Sequence, residues 1–238
     1  MPPRPAPTHF VCIPLSGPQL ARTLSSFRAD VTDPNSFNVH PQAVRPLGTM
    51  HLTLGVMTLK GDEALGRAAD LLRGLRLREI LDHARAAAAS SSVNSNNTAR
   101  TTTGQEAESG PGLTVTLQGL GAMQSPSRTS VVYAPPLDPG GLLRRFCELV
   151  RGRFQEAEVM AQEERPLLLH ATVVNTIYIG DRRLKRVAMD ARDLMAKYDG
   201  HTWVEDMPVE RVTLCKMGAK KVEGELGEAY EVEAEVEF

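Results

Sequence analysis

Short runs of apolar residues alternate along the chain with segments of helical periodicity. The apolar runs predict strands, over residues 9–15, 51–59, 113–123, 130–134, 167–179 and 209–218. Apolar residues three or four positions apart predict helices, over 19–29 and after Asp62, Asp138 and Asp181. A similar strand–helix unit occurs twice. This order favours two lobes with mixed or antiparallel sheets over a single doubly wound parallel sheet.

In the C-terminal segment, residues 228–238, glutamate alternates with small or apolar residues from Glu231 onward. Successive side chains of a strand point to opposite faces, so this pattern predicts a strand with one face in water at a sheet edge. An acidic tail that binds a partner is the alternative. Together these elements predict an α+β fold of two pseudo-symmetric lobes, each a mixed or antiparallel sheet with flanking helices, that enclose a central cleft.

Two segments differ in composition from the rest of the chain. Residues 1–8 are rich in proline and predict a short extended arm. Residues from about 84 to 112 are small and polar, and they have few large apolar side chains whose burial would offset the entropy of ordering. We therefore predict one domain, residues 9–238, with a disordered insertion at about 84–112.

The composition is that of a globular protein with little net charge. Of the 238 residues 42% are hydrophobic, and 27 Lys and Arg against 29 Asp and Glu leave a net charge of −2. A broad basic surface for duplex DNA is therefore not expected. The three cysteines form no CxxC pair, which favours a reducing compartment. With no long apolar run and no apolar leader segment, we expect an intracellular protein, cytoplasmic or nuclear, without a membrane span.

The two strongest strands carry the same pattern, His–apolar–Thr–apolar. It reads HLTL at 51–54 and HATV at 170–173. Because side chains two positions apart share a face of a strand, each copy presents an imidazole beside a hydroxyl. One copy alone would mean little, since a lone histidine in an apolar strand is more often a hydrogen-bonded core residue. Two copies in equivalent places indicate one shared site.

Two imidazoles and two hydroxyls around one anion suit the cleavage of a phosphoester. A neutral imidazole takes a proton from water or a ribose hydroxyl, and a protonated imidazole gives one to the leaving oxygen. Threonine hydroxyls donate hydrogen bonds to the other phosphate oxygens. No pair of histidines or cysteines has the spacing of zinc ligands. We therefore predict neither a metal nor a cofactor.

Paired HxTx motifs on strands of two related lobes resemble the two-histidine (2H) phosphoesterase superfamily. The segments that look like its RNA ligase-like branch, named for A-kinase anchor proteins and activating signal cointegrator subunits, are THFVCIPL, MHLTLGVM and LLLHATVVNTIY. Met50 stands where that branch often has leucine. The resemblance covers roughly residues 8–238 apart from the insertion.

The resemblance implies that His51 and His170 are the catalytic acid and base, in an order that the sequence leaves open. It implies that Thr53 and Thr172 bind the substrate phosphate. The implied enzyme is a metal-independent phosphodiesterase, acting on RNA ends or on nucleotides with 2′,3′-cyclic or 2′,5′-linked phosphates. A monomer is expected, with no membrane partner and with a protein partner in a transcription, RNA-processing or signalling complex.

Two alternatives stay open at this point. The same cleft could hold a nucleotide or RNA without turning it over, or the domain could anchor another protein, as some relatives do. Alternatively, both histidines are buried core residues.

Three more side chains are candidate substrate contacts. Tyr133 lies within the predicted strand 130–134, and Tyr178 ends the second motif strand. Either ring could stack on a base, although a ring in the core or an interface has the same pattern. Arg128 precedes a strand and could reach the phosphate, or it is a plain turn residue. A basic run follows the second motif directly and comprises Arg182, Arg183, Lys185 and Arg186. The default interpretation is a solvated helix face, and a role in attracting RNA is the alternative.

Overall fold

A computed structural model of the chain describes residues 5–92, 112–163, 165–181, 187–224 and 227–238. The helices are α1 Pro18–Thr32, α2 Gly61–Arg73, α3 Leu77–Ser92, α4 Leu142–Glu156 and α5 Arg192–Lys197. The strands are β1 His9–Pro14, β2 His51–Met57, β3 Thr114–Gln118, β4 Gly121–Ala122, β5 Val131–Ala134, β6 Ala171–Asn175, β7 Thr202–Pro208, β8 Arg211–Lys216, β9 Lys220–Lys221, β10 Glu228–Ala229 and β11 Val232–Glu237.

Two antiparallel layers of strands form the two lobes, and β9 and β10 pair separately as a short antiparallel ribbon. The first has the strand order β11–β8–β1–β2. In the second, β3 pairs with β7, and β5 pairs with β4 and β6. Leu117 of β3 bridges Pro136, just after β5, so these two ladders continue as one layer. The predicted α+β fold of two lobes with antiparallel sheets is confirmed, and the C-terminal strand β11 lies at a sheet edge as the glutamate alternation indicates.

The first helix of each lobe packs against the other lobe. Helix α1 buries Leu20, Leu24, Phe27 and Val31, which share one face at helical spacing. The Thr23 hydroxyl donates to the carbonyl of Trp203 in β7 at 2.7 Å. In return, α4 of the second lobe contacts β2 of the first. The lobes are therefore joined through their cores.

The motif strands β2 and β6 occupy the inner edges of the two sheets, where the lobes meet. The segment before β2 pairs with β6, because Val44 and Val174 form an antiparallel bridge. The amide of Arg45 donates to the carbonyl of Val173 at 2.9 Å. Residues far apart in the sequence are thus brought to one junction.

Helix α3 enters the segment that composition predicts to be disordered. It continues to Ser92, so the first residues of the predicted insertion at 84–112 are helical, and residues 93–111 lie outside the described residues. The reason for the difference is the alanine content of this stretch, since alanine has the highest helix propensity although it buries little apolar surface. Ala84 is itself buried.

Other boundaries also differ from the predictions. The strand predicted over 167–179 forms only over β6 and ends in a 3₁₀ turn, Thr176–Tyr178. Strand β7 was not predicted, although it holds the buried Trp203. The helix predicted after Asp181 was wrong over residues 187–190, because Met189 and Thr129 exchange backbone hydrogen bonds of 2.7 and 2.9 Å. The basic residues 182–186 lie outside the described residues.

Among the described residues, no helix combines the length and the apolar character that a membrane crossing requires.

Candidate active site

The two HxT motifs face the junction between the lobes. In β2, Leu52 and Leu54 are fully buried in the core, whereas His51 and Thr53 on the other face are only partly buried. In the second motif Ala171 and Val173 are fully buried, and His170 and Thr172 alternate with them. The alternation expected of a strand therefore holds in both copies, and it turns all four polar side chains away from the core.

Each imidazole is held by the same backbone contact. The Nδ1 of His51 lies 2.7 Å from the carbonyl oxygen of Thr49. The Nδ1 of His170 lies 2.9 Å from the carbonyl oxygen of Leu168. A carbonyl can only accept, so Nδ1 carries the proton in each ring, and Nε2 of the neutral ring is the basic nitrogen. The two rings are thus fixed in the same tautomer.

His51 is enclosed by aromatic rings. The centroid of the Phe10 ring lies 4.9 Å from that of the His51 ring. The Tyr230 ring meets the His51 ring edge-on, with 5.3 Å between their centroids. Phe10 belongs to a small apolar cluster on this face of the first sheet, together with Cys12 and Cys215. The pKa of His51 is lowered to about 4, chiefly because the ring is buried and in smaller part because of the charges of His170 and Arg45, while the bond to Thr49 opposes the change. His51 is therefore neutral at pH 7, and a charge on His170 is one of the influences that keep it so.

The surroundings of His170 are more open. Its hydrogen bond to the carbonyl of Leu168 is exposed to solvent. The ring of Tyr133 meets it at 5.3 Å with an interplanar angle of 65°. Tyr133 lies directly opposite Thr172 in the antiparallel pair of β5 and β6. This predicted substrate contact is therefore on the same face as the second motif.

A glycine makes room for the Tyr133 ring. Gly121 of β4 pairs with Tyr133, and a Cβ at position 121 would lie 2.6 Å from its Cζ atom. No real Cβ approaches an aromatic carbon that closely, so the ring lies against bare backbone. The sequence pattern did not single out Gly121, since only the strand pairing shows what the glycine faces.

The threonine hydroxyls of the two motifs are not engaged by any residue that the structure describes. Within the described ranges of the chain, neither Thr53 nor Thr172 makes a side-chain hydrogen bond, and both residues are partly exposed. Thr53 stands opposite Cys12 in β1, as Thr172 stands opposite Tyr133 in β5. Both hydroxyls can therefore donate to a bound anion.

Tyr178 is near the junction but is already in contact with protein groups. It ends the 3₁₀ turn after β6, and the guanidinium carbon of Arg45 lies 3.5 Å from the centroid of its ring. Its side chain also interacts with that of Tyr230. One face of the Tyr178 ring is therefore covered by the arginine, while the residue as a whole remains 42% exposed.

Arg128 is not brought beside the motif side chains. It is exposed in the turn between β4 and β5, where its amide donates to the carbonyl of Ser125. The register pairs Val131 with Asn175 and Ala134 with Ala171, so Arg128 lies beyond the end of β5 that is remote from His170.

Sequence reasoning missed three residues that surround His51, namely Phe10, Arg45 and Tyr230. Phe10 lies one strand away, and Arg45 and Tyr230 come from loops at opposite ends of the chain. No local pattern marks any of them. Only the pairing of β1 with β2 and the packing of the two loops could reveal their place.

Comparison with known families decides what kind of domain this is. The sequence profile of the AKAP7 2′5′ RNA ligase-like domain matches residues 7–238. The chain belongs to this family. The resemblance to 2H phosphoesterases that the paired motifs indicated is therefore confirmed.

Relatives of this RNA ligase-like domain extend over nearly its whole length. An uncharacterized protein of Schizosaccharomyces pombe is 24% identical over 222 residues, which is 93% of this chain and 90% of the relative. Escherichia coli LigT in complex with 3′-AMP has a TM-score of 0.54 at 18% identity, with 97% of each chain covered. TT0787 of Thermus thermophilus has a TM-score of 0.52 at 16% identity, again with 97% of each chain covered. At such identities the solved structures establish the shared fold.

Two other features of this RNA ligase-like domain bear on ligands. A cavity of about 400 Å³ lies between the start of α1 and β7, but none of the four motif side chains lines it. In the described part of the chain, no group of three or more His, Cys, Asp or Glu side chains is arranged to hold a metal ion.

Proposed function

We propose that this domain is a phosphodiesterase that acts on RNA ends or nucleotides, on 2′,3′-cyclic or 2′,5′-linked phosphates, by acid–base catalysis with two histidines. The observation that carries the proposal is the matched pair of imidazoles, each anchored through Nδ1 at the inner edge of its sheet. The same anchoring leaves Nε2 of each ring as the nitrogen that exchanges a proton with the substrate. The hydroxyls of Thr53 and Thr172 stand beside them for the phosphate oxygens.

The asymmetry between the two imidazoles supports an assignment of roles. His51 is neutral at pH 7 because its pKa is lowered to about 4, so it serves as the base. The acid must start protonated, and this role falls to His170. A phosphate bound between the motifs favours a protonated imidazole beside it, as the acid requires, because opposite charges attract.

For a 2′,3′-cyclic phosphate the reaction is a hydrolysis. A water oxygen attacks phosphorus while Nε2 of His51 takes a water proton. The bond between phosphorus and one ribose oxygen breaks, and His170 gives that oxygen its Nε2 proton. Threonine hydroxyls donate to the remaining phosphate oxygens, where negative charge increases. The product is a nucleoside monophosphate, and no step passes through a metal because side chains supply acid and base.

The nucleotide class of substrate is also supported by relatives in the same fold. LigT of Escherichia coli has been crystallised with 3′-AMP and with NADP⁺, at TM-scores of 0.54 and 0.50 to this chain. Tyr133, on the face of Thr172, is in a position to contact a base or ribose next to the phosphate. A contact between Arg128 and the substrate stays a prediction, and so does the protein partner that the resemblance implies.

The test is a turnover assay on a panel of 2′,3′-cyclic mononucleotides and 2′,5′-linked dinucleotides in the presence of EDTA. We expect product from the wild-type chain and a loss of about 10²–10⁴ in His51→Ala. His83→Ala is the matched control, since His83 is an exposed histidine on α3, and it should keep wild-type turnover. Calorimetric binding of a mononucleotide with no product from any substrate would instead assign a binding module, and full activity of His51→Ala would refute the scheme.

A further inference from the structure

Arg45 is a buried cation at the junction between the lobes. The residue is 5% exposed, and its amide joins the second lobe through the carbonyl of Val173 at 2.9 Å. Its Nη2 lies 3.4 Å from a carboxylate oxygen of Glu228 in β10. Its guanidinium carbon lies 3.5 Å from the centroid of the Tyr178 ring. Two other segments of the chain, β10 and the turn that ends at Tyr178, therefore converge on the guanidinium of Arg45. An arginine side chain is charged at any ordinary pH.

Tyr230 connects this guanidinium to His51. Its side chain interacts with both Arg45 and Tyr178. Its ring meets His51 edge-on at 5.3 Å and Phe10 at 4.9 Å, with interplanar angles of 87° and 80°. Tyr230 thus contacts His51 through its ring, while its hydroxyl interacts with Arg45 and Tyr178.

We propose that Arg45 is a positioning residue for the phosphoester reaction, which holds Tyr230 against His51 and places a permanent positive charge behind that imidazole. This inference rests on the proposed function for its catalytic meaning, but its structural content does not depend on turnover. Arginine suits the position better than lysine, because its planar guanidinium can stack on a tyrosine ring and donate hydrogen bonds from its edge at the same time.

The groups that face His51 from each neighbouring element support this role. They are His170 from the second motif, Tyr230 from the loop before β11, Phe10 from β1, and Arg45 with its partner Glu228. The positive charge of Arg45 disfavours a proton on His51 and so lowers its pKa. Loss of that charge should therefore make His51 easier to protonate.

The experiment follows the His51 imidazole by NMR titration, beside the pH profile of turnover, in Arg45→Met, Arg45→Lys and Tyr230→Phe. In Arg45→Met we expect the pKa of His51 to rise and kcat to fall about tenfold, with the acidic limb of the profile moving to higher pH. Arg45→Lys keeps the charge, so its His51 pKa should stay closer to wild type than that of Arg45→Met. Tyr230→Phe, which retains the ring, should lower kcat with a smaller change in the His51 pKa.

Arg151→Met is the matched control, because Arg151 is also a buried arginine with a carboxylate partner, Glu163 at 2.9 Å, but belongs to α4. It should leave the His51 titration unchanged. The inference is overturned if Arg45→Met leaves the His51 pKa in place, or if the lysine and methionine variants move it equally. Should Arg45→Met fail to fold, the lysine and phenylalanine variants decide, and unchanged kcat in both overturns the inference. Retained turnover in His51→Ala would count against the proposed function instead, since it bears on the histidine and not on Arg45.

Discussion

The two halves of the site carry the same motif and anchor it alike, yet the surroundings of the two imidazoles differ. His51 has aromatic rings on two sides and a buried arginine behind them, and its pKa is lowered to about 4. His170 has one tyrosine beside it and an exposed hydrogen bond to the backbone. The motif thus supplies equivalent groups, and residues outside it make them unequal. Acid–base chemistry needs this inequality, because one group must start neutral and the other protonated.

The largest effect is expected from the histidines themselves. His51→Ala and His170→Ala should each lower kcat by about 10²–10⁴, because each removes one proton-transfer group. The double variant should lose much less than the product of the two single losses, since the groups act as a unit. Single-turnover rates with a 2′,3′-cyclic nucleotide measure this. Losses that multiply would show that the two halves act independently.

The threonines should have the next largest effect, and an equal one in the two halves. Thr53→Val and Thr172→Val remove the hydroxyl that we propose as a donor to the phosphate, so kcat should fall by about 10² in each. Thr53→Ser and Thr172→Ser keep the hydroxyl and serve as matched controls with activity close to wild type. A loss confined to one threonine would mean that only one half holds the phosphate.

Stability in acid should depend on His51. Its pKa is about 4 in the folded chain and 6.5 in the unfolded chain, so between these values only the unfolded state binds the proton. The free energy of unfolding therefore falls as the pH drops from 6.5 towards 4, by on the order of 2 kcal/mol from this one group. Urea denaturation at pH 7.5 and 4.5 measures the loss, which should be smaller in His51→Gln. His83→Gln should lose as much as wild type, and the same loss in His51→Gln would contradict a desolvated imidazole.

The smallest effect is expected from the backbone under Tyr133. Gly121→Ala puts a Cβ 2.6 Å from the Tyr133 ring and must displace it, so KM should rise about tenfold while kcat changes less. Gly66→Ala is the control, because Gly66 lies within α2 with open space around it. It should leave KM unchanged and raise stability by up to about 1 kcal/mol. An unchanged KM in Gly121→Ala would remove Tyr133 from the substrate site.

The motif side chains could be predicted from sequence because the alternation of a strand is local. His51 with Thr53 and His170 with Thr172 share a face whatever the partner strands are. The partners themselves depend on register. Tyr133 faces Thr172 only because the pairing shifts between Val132 and Tyr133, and no sequence pattern fixes such a shift.

The residues that surround His51 could not be predicted for a related reason. Arg45 and Glu228 are 183 positions apart, and their contact depends on how two loops pack. Composition also misjudged the start of the predicted insertion. Composition indicates how much apolar area a segment can bury. Alanine side chains bury little, but the alanines before Ser92 are helical because alanine has a high helix propensity.

A crystal structure with a bound 3′-nucleotide tests most directly whether the two halves serve one phosphate. The proposed mechanism predicts that Nε2 of His51 and Nε2 of His170 each lie within about 3 Å of an oxygen of the same phosphate group. A threonine hydroxyl should lie beside each ring. A phosphate held by one motif alone, or bound in the cavity beside α1 with both imidazoles unoccupied, would contradict it.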